Sequence, residues 1–154
     1  MSQFLGTHLS RRDAKGRISV PAPFRAALKN GSDDSTVQLI LRPSHQHPCI
    51  EAWPVPVFEA LANPLNQLQT FSAEQEDLAA ILYADAFPVE TDKEGRIILH
   101  EALVGHAGLQ DSVTFMGLGR TFQLWEPSAA ERRRQDARER ARERGFTLPG
   151  SLPR

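Results

Sequence analysis

Cysteine is nearly missing from this chain: Cys49 is the single one in 154 residues. One thiol cannot build an internal disulfide framework, and such usage fits a reducing compartment, so a cytoplasmic location is expected. Long apolar runs are missing too. No stretch approaches the roughly 20 residues that span a bilayer, and Met1-Ser2-Gln3-Phe4-Leu5-Gly6 lacks the basic-then-apolar order of a secretory signal. No membrane partner is expected. Net charge is only −1, which at first sight argues against a polyanionic partner. There is no Gly-rich phosphate loop, no His-Glu-x-x-His and no Ser-His-Asp order. An enzyme therefore has no support in the motifs, and no cofactor is expected.

The best remaining candidate for chemistry is the alternation of His45, His47 and Cys49. A structural zinc site normally takes four ligands, and no nearby Cys or second His pair completes this set. Pro48 also makes the region a loop, so the three side chains are not held on one face of a strand. Cys49 reads as a small buried apolar residue and not as a nucleophile.

What is present is a repeat. Asp13-Ala14-Lys15-Gly16-Arg17-Ile18-Ser19-Val20 recurs as Asp92-Lys93-Glu94-Gly95-Arg96-Ile97-Ile98-Leu99, displaced by 79 positions. In both copies an Asp opens a tight reversal, Gly supplies a positive φ, and Arg begins an alternating strand. Such a turn projects a basic side chain from the lip of a sheet, and two of them suggest a pseudo-symmetric unit meeting a polyanion. Arg17 and Arg96 could alternatively hold the opposing turn's Asp13 or Asp92 and fasten the two copies together. Glu94 stands where copy one has Lys15, so the second tip is electrostatically blunted and copy one is expected to face the nucleic acid.

The charge distribution supports a basic end on an acidic body. Residues 1–30 hold six basic groups against one acid, residues 31–130 hold four against fourteen, and residues 131–154 hold eight against four. Local field and not total charge governs binding, so DNA remains a compatible partner. Arg11, Arg12, Lys15, Arg17 and Arg25 concentrate cations around the first turn. Arginine suits both phosphate and guanine because its planar fork donates two hydrogen bonds at once.

Turn residues and apolar alternation predict the order strand–strand–helix–strand–strand in each copy, hence a mainly β, α+β fold. In copy one the strands are Phe4–Leu9, Lys15–Val20, Val37–Leu41 and Ile50–Trp53, with a short helix through Phe24, Ala27 and Leu28 stopping at Gly31. In copy two they are Phe87–Glu90, Arg96–Leu99, Ser112–Met116 and Thr121–Trp125, with a helix over Ala102–His106 ending near Gly108. Trp53 and Trp125 are 72 apart, so copy one carries about seven extra residues, expected in the loops Asn30–Ser35 and Pro43–Pro48. Between the copies lies a helical connector. Phe58, Leu61, Leu65 and Leu68 keep helical spacing, Pro64 breaks or restarts it, and Ser72-Ala73-Glu74-Gln75 forms a capping box. Ser128-Ala129-Ala130-Glu131 opens a further helix to about Arg144 with Gly145 as its stop. Its seven Arg, four acids and no large apolar residue predict a solvated helix with pairs such as Asp136–Arg140 and no buried face, the alternative being an arm that contacts DNA phosphate or a neighbouring subunit. The expected division is a first repeat over 4–54, a connector over 55–84, a second repeat over 85–127 and a charged helix and tail over 128–154.

Phe4-Leu5-Gly6, Asp13-Ala14-Lys15-Gly16-Arg17, Pro21-Ala22-Pro23-Phe24-Arg25, Asp92-Lys93-Glu94-Gly95-Arg96 and Phe122-Gln123-Leu124-Trp125 together resemble the MraZ family, from Phe4 to about Pro127. The resemblance implies two fused AbrB-type swapped-hairpin motifs forming a pseudo-twofold barrel. It also implies a bacterial transcriptional regulator, associated with the nucleoid, that assembles into a homo-oligomeric ring. Such proteins bind short direct repeats in double-stranded promoter DNA and usually repress their own division and cell-wall gene cluster. Lys15 and Arg17 match the family's DNA-contacting turn, and Arg96 matches the Arg of its second copy. Arg11 and Arg12 are added from charge and proximity, as is Arg25, which also falls in the family's helix motif. Arg12 stands where an apolar residue is usual, and His100 where copy two often has Pro. The competing reading is a scaffold or interaction module on the same fold that does not bind DNA.

Overall fold

The computed structural model describes residues 3–150. Met1 and Ser2, at the start of the stretch tested for a signal, and residues 151–154 of the expected tail lie outside the described residues. The elements follow in the order β1 (Thr7–Arg11), β2 (Arg17–Ser19), α1 (Ala22–Lys29), β3 (Gln38–Pro43), β4 (Ile50–Pro54), α2 (Val55–Glu59), α3 (Ala62–Asn66) and α4 (Ala73–Ala79). A π-helical turn over Ala80–Ala84 prolongs α4. Then come β5 (Phe87–Glu90), β6 (Arg96–Ile98), α5 (Glu101–Ala107), β7 (Ser112–Gly117), β8 (Phe122–Trp125) and α6 (Pro127–Arg144). The strand–strand–helix–strand–strand order is present in both copies, and the fold is α+β with antiparallel sheets.

The pairing differs from a chain of local hairpins. The turn at Asp13–Gly16 does join β1 to β2, but they form no ladder: an isolated bridge, Arg12–Ile18, and a hydrogen bond from Ser10 Oγ to the Ser19 carbonyl link the two arms. β1 pairs along its length with β7 of the other copy, and β5 pairs with β3. β2 pairs with β6, placing Ile18 opposite Ile97. The Val20 N–H, just past β2, likewise crosses to the other copy and donates to the Gly95 carbonyl at 2.9 Å. The six-stranded sheet runs β1-β7-β8-β4-β3-β5, an order that reads the same when the two copies are exchanged. Equivalent residues are 79 apart in β2 and β6, 74 apart in β3 and β7, and 72 apart in β4 and β8. Five of the seven extra residues therefore fall between α1 and β3 and two between β3 and β4, in the loops expected to hold them.

One core serves both copies. Ile18, Ile97, Phe24, Leu103, Leu41 and Phe115 are all buried in it, so the ribbon, the helices and the large sheet meet in one apolar interior. Phe4, expected to open the first strand, is instead buried against Phe24 and Phe122 and bridges Gly119. Gly6 at φ 88 interrupts the extended chain before β1 can begin. The closing tryptophans make the same hydrogen bond, although Trp125 is buried with Ala130 and Trp53 is half-buried against Phe58. Trp53 Nε1 donates to Glu51 Oε1 and Trp125 Nε1 to Gln123 Oε1, each two residues back.

Helix ends follow local chemistry with two differences. α1 is closed by Asn30 in the left-handed region (φ 47), one residue before the expected Gly31. α5 stops at Gly108 as expected, and His100, at the place of Pro21 in copy one, caps it by accepting from the Ala102 N–H at Nδ1. In the connector the helical run is interrupted around Ala60 and Leu61, and Pro64 sits in the first turn of α3, where a missing N–H costs nothing. Ser72 caps α4 by accepting from the Gln75 N–H, as its capping box predicts. α6 begins earlier than the Ser128 reading. Pro127 occupies its first turn, and the Glu126 carboxylate accepts from the N–H groups of Ser128 and Ala129. Nor is the helix wholly solvated. Ala130 is buried with Cys49, Met116 and Trp125, because alanines let its first turn approach the sheet closely. Among the described residues its ion pair is Glu131–Arg134, not Asp136–Arg140.

Candidate nucleic-acid interface

Both turns are built around an aspartate. Asp13 Oδ1 accepts from the N–H groups of Lys15 (2.9 Å) and Arg17 (2.8 Å), while its Oδ2 takes Arg17 Nε at 2.7 Å. Asp92 repeats this with Glu94 (3.0 Å), Arg96 (2.9 Å) and Arg96 Nε at 2.8 Å. The Arg17 backbone N–H is the largest cause holding the Asp13 carboxyl below its ordinary range, and the Arg96 N–H does the same for Asp92. Each arginine is thus tied to its own turn's Asp, which corrects the expectation that it could clasp the opposing one. An Asp–x–x–x–Arg spacing makes this the shorter reach.

The difference lies at the outer nitrogens. Among the described residues nothing accepts from Arg17 Nη1 or Nη2, and the side chain, anchored at Nε, is 28% exposed against 29% for Arg96. Arg96 has its Nη2 held by Glu94 Oε2 at 3.3 Å. In copy one the equivalent of Glu94 is Lys15, exposed and cationic. One backbone frame therefore displays a free guanidinium fork in copy one and an engaged one in copy two.

Pairing of β2 with β6 brings the two arginines together. Arg17 lies opposite Ile98 and Ser19 opposite Arg96, with Ile18 and Ile97 turned into the core. The outer face of the ribbon thus carries Arg17, Arg96, Ser19 and Ile98, with the arginines on one diagonal at the about 7–8 Å usual for such neighbours. A two-stranded ribbon is one of the shapes the DNA major groove admits.

The other candidates separate. Arg11 is exposed at the end of β1. Arg12 is partly covered, with Nη1 donating to the Gln110 carbonyl at 2.9 Å and a buried Nε that finds no partner. Arg11, Arg12, Lys15 and Arg17 therefore gather on the copy-one side. Arg25 lies elsewhere. Its Nη1 donates to the Val20 carbonyl at 2.9 Å, and its side chain covers Gly95 so closely that a Cβ there would meet Arg25 Cδ at 2.2 Å. A role as a seal over the second turn was not legible in the sequence, since residues 25 and 95 meet only after β2 and β6 pair. Ile98, 65% exposed beside Arg17, is a further member of this face that charge and motif do not point to. The alternation starting at Arg96 is the signal that could have found it.

The loop of His45, His47 and Cys49 disperses its side chains. His45 Nδ1 meets Arg42 Nη2, and His47 tilts against Trp125. Burial pushes the Cys49 thiol up to about 12, far from a thiolate at neutral pH. Among the described residues no three His, Cys, Asp or Glu side chains gather to hold a metal ion. No helix there is long and apolar enough to cross a membrane.

Comparison with known proteins adds to this geometry. The family model described as "MraZ protein, putative antitoxin-like" matches residues 3–80 and again 82–145. A protein of Gluconacetobacter diazotrophicus named Transcriptional regulator MraZ is 60% identical over 150 residues, covering 97% of this chain and 95% of the relative. Its namesake in Gluconobacter oxydans is 63% identical over 142 residues, covering 92% and 87%. The one in Azorhizobium caulinodans is 37% identical over 143 residues, covering 93% and 89%.

Proposed function

The chain belongs to the MraZ family, whose named relatives are transcriptional regulators and not enzymes, and from this premise we propose that it reads promoter DNA through the outer face of its β2–β6 ribbon. The observation that carries the reading is the contrast between the two forks. Arg17 is oriented through Nε by Asp13 with both outer nitrogens available, which is how a guanidinium is presented to a phosphate or to guanine O6 and N7. Lys15, Arg11 and Arg12 add positive charge around it, whereas Glu90, Asp92 and Glu94 offset Lys93 and Arg96 in copy two. Copy one is the principal contact, copy two the weaker one, and Arg25 acts through the second turn that it covers.

The exchange of β1 and β5 between the copies supports the swapped-hairpin, AbrB-like barrel as the framework, with repeats over 4–54 and 85–127, the connector over 55–84 and the charged helix and tail over 128–154. A single protomer offers two or three phosphate contacts, weak at physiological salt given a slope of about −0.9 per phosphate. Repetition of the tip in a homo-oligomeric ring over short direct repeats would raise avidity by about 10²–10⁴ without new contacts. On this reading the protein works in the cytoplasm at the nucleoid, repressing its own division and cell-wall gene cluster.

Fluorescence anisotropy with the protein's own upstream promoter fragment and a scrambled control, at two salt concentrations, tests the proposal. Wild type should bind the promoter tightly and lose affinity steeply with salt. Arg17→Ala should abolish promoter preference while the particle size by light scattering stays unchanged, and Arg96→Ala should weaken binding less. Equal, weak binding to both DNAs that Arg17→Ala leaves unaltered would sink the reading.

A further inference from the structure

The DNA-facing ribbon carries one side chain that electrostatics does not explain. Ile98 is a large apolar residue, 65% exposed, and its cross-strand partner is Arg17. Its neighbours along the strand, Ile97 and Leu99, are buried at 1% and 5%, so the alternation that fills the core pushes Ile98 out among the arginines. Nothing in the pseudo-symmetry demands an apolar group there, since the equivalent position in copy one is Ser19. A shallow groove of about 350 Å³ opens beside it, where the cations Arg17 and Arg96 and the carboxylates Glu90 and Asp92 line the wall together with Ile98. The surface thus places one exposed aliphatic group directly across from Arg17, whose outer nitrogens have no acceptor among the described residues, in charged surroundings that exclude a purely apolar partner.

We propose that Ile98 is a specificity-determining residue that packs against a thymine 5-methyl group in the major groove, next to the base or phosphate engaged by Arg17. The inference rests on the DNA-binding reading above. The thymine methyl is the apolar feature of the major-groove edge and is what aliphatic side chains recognise there. Directly opposed residues on paired strands have Cβ atoms about 4.5–5.5 Å apart, so the two side chains can meet the same or adjacent base pairs. Copy two then contributes shape and methyl recognition while copy one contributes charge, which gives the ribbon a direction on the DNA. Ser19, the small polar residue on the other diagonal position, leaves room for a different base edge.

The test uses the protein's own promoter fragment synthesised with thymidine or with deoxyuridine throughout, a change that removes only the 5-methyl groups. Wild type should bind the deoxyuridine fragment about fourfold more weakly for each methyl contacted, the equivalent of about 0.8 kcal/mol. Ile98→Ala should bind the thymidine fragment more weakly by a similar factor and should no longer distinguish the two fragments. Because Ile98 is outside the core, its thermal melt should match wild type, which separates the effect from misfolding. Tight wild-type binding to both fragments alike overturns the methyl contact and leaves the DNA reading standing, and so does an Ile98→Ala protein that still discriminates. Absence of salt-sensitive promoter binding in wild type overturns the DNA reading itself, and this inference with it.

Discussion

Substituting the two turn glycines by alanine should give unequal losses, although the turns share one sequence pattern. Gly16 and Gly95 adopt φ of +77 and +80, so either alanine must enter the left-handed region, at about 1–2 kcal/mol. At Gly16 the new methyl would meet Arg12 Nη2 at 3.8 Å, an ordinary contact, so the backbone cost is the whole effect. At Gly95 it would lie 2.2 Å from Arg25 Cδ and 2.5 Å from Nη1. The Arg25 side chain must leave, breaking its 2.9 Å hydrogen bond to the Val20 carbonyl and adding about 1 kcal/mol. Gly95→Ala should therefore cost about 2–3 kcal/mol against about 1–2 for Gly16→Ala. Over a chain of this length the difference corresponds to about 2–4 °C in Tm. Urea and thermal unfolding followed by circular dichroism would measure both. In an Arg25→Ala background the added cost at Gly95 should vanish, leaving the two glycines equal, so the double-mutant cycle reads the contact itself. Equal losses in the wild-type background, or no coupling to Arg25, would refute the assignment of Arg25 as the seal over the second turn.

Further outcomes follow from the same geometry. Glu94→Lys copies the copy-one sequence, frees Arg96 Nη2 and should tighten promoter binding, steepening the salt slope by about 0.9 for each added phosphate contact; unchanged affinity and slope would mean that the second tip lies away from the DNA. Asp92 is held below the ordinary carboxylate value of 3.8, so the unfolded chain binds its proton first as pH falls. Its contribution is full above 3.8 and is lost as pH drops from there through the depressed folded value. Asp92→Asn should be less stable than wild type in denaturant melts at pH 6, with the gap closing below pH 3.8; a gap that widens on acidification contradicts the sign. Cys49, buried with its thiol pushed up to about 12, should resist a disulfide reagent at pH 8 until denaturant is added. Stoichiometric labelling of the folded protein would show that the loop opens.

The sequence by itself determined most of what depends on neighbours along the chain, the closure of α1 at Asn30 and the Glu126 cap of α6 being the local exceptions. The Asp–x–x–Gly–Arg turns, the Ser72 cap, the helix stop at Gly108 and the strand of residues 87–90 are each set by hydrogen bonds or φ preferences spanning a few residues. Such signals are fully written in local order. The charge contrast between Lys15 and Glu94 was legible for the same reason. Tertiary structure alone decided which strand each hairpin arm would join. His8 faces Phe115 and Phe87 faces Leu41 across separations of 107 and 46 positions, and no local rule distinguishes those partners from nearer ones. It decided that Arg25 seals Gly95, that alanines dock α6 on the sheet, and that Ile98 stands beside Arg17. These outcomes depend on which apolar side chains can share one interior. Ile18, Ile97, Phe24 and Leu103 come from both copies into one core, and the exposed face of the ribbon is what remains once that interior is filled.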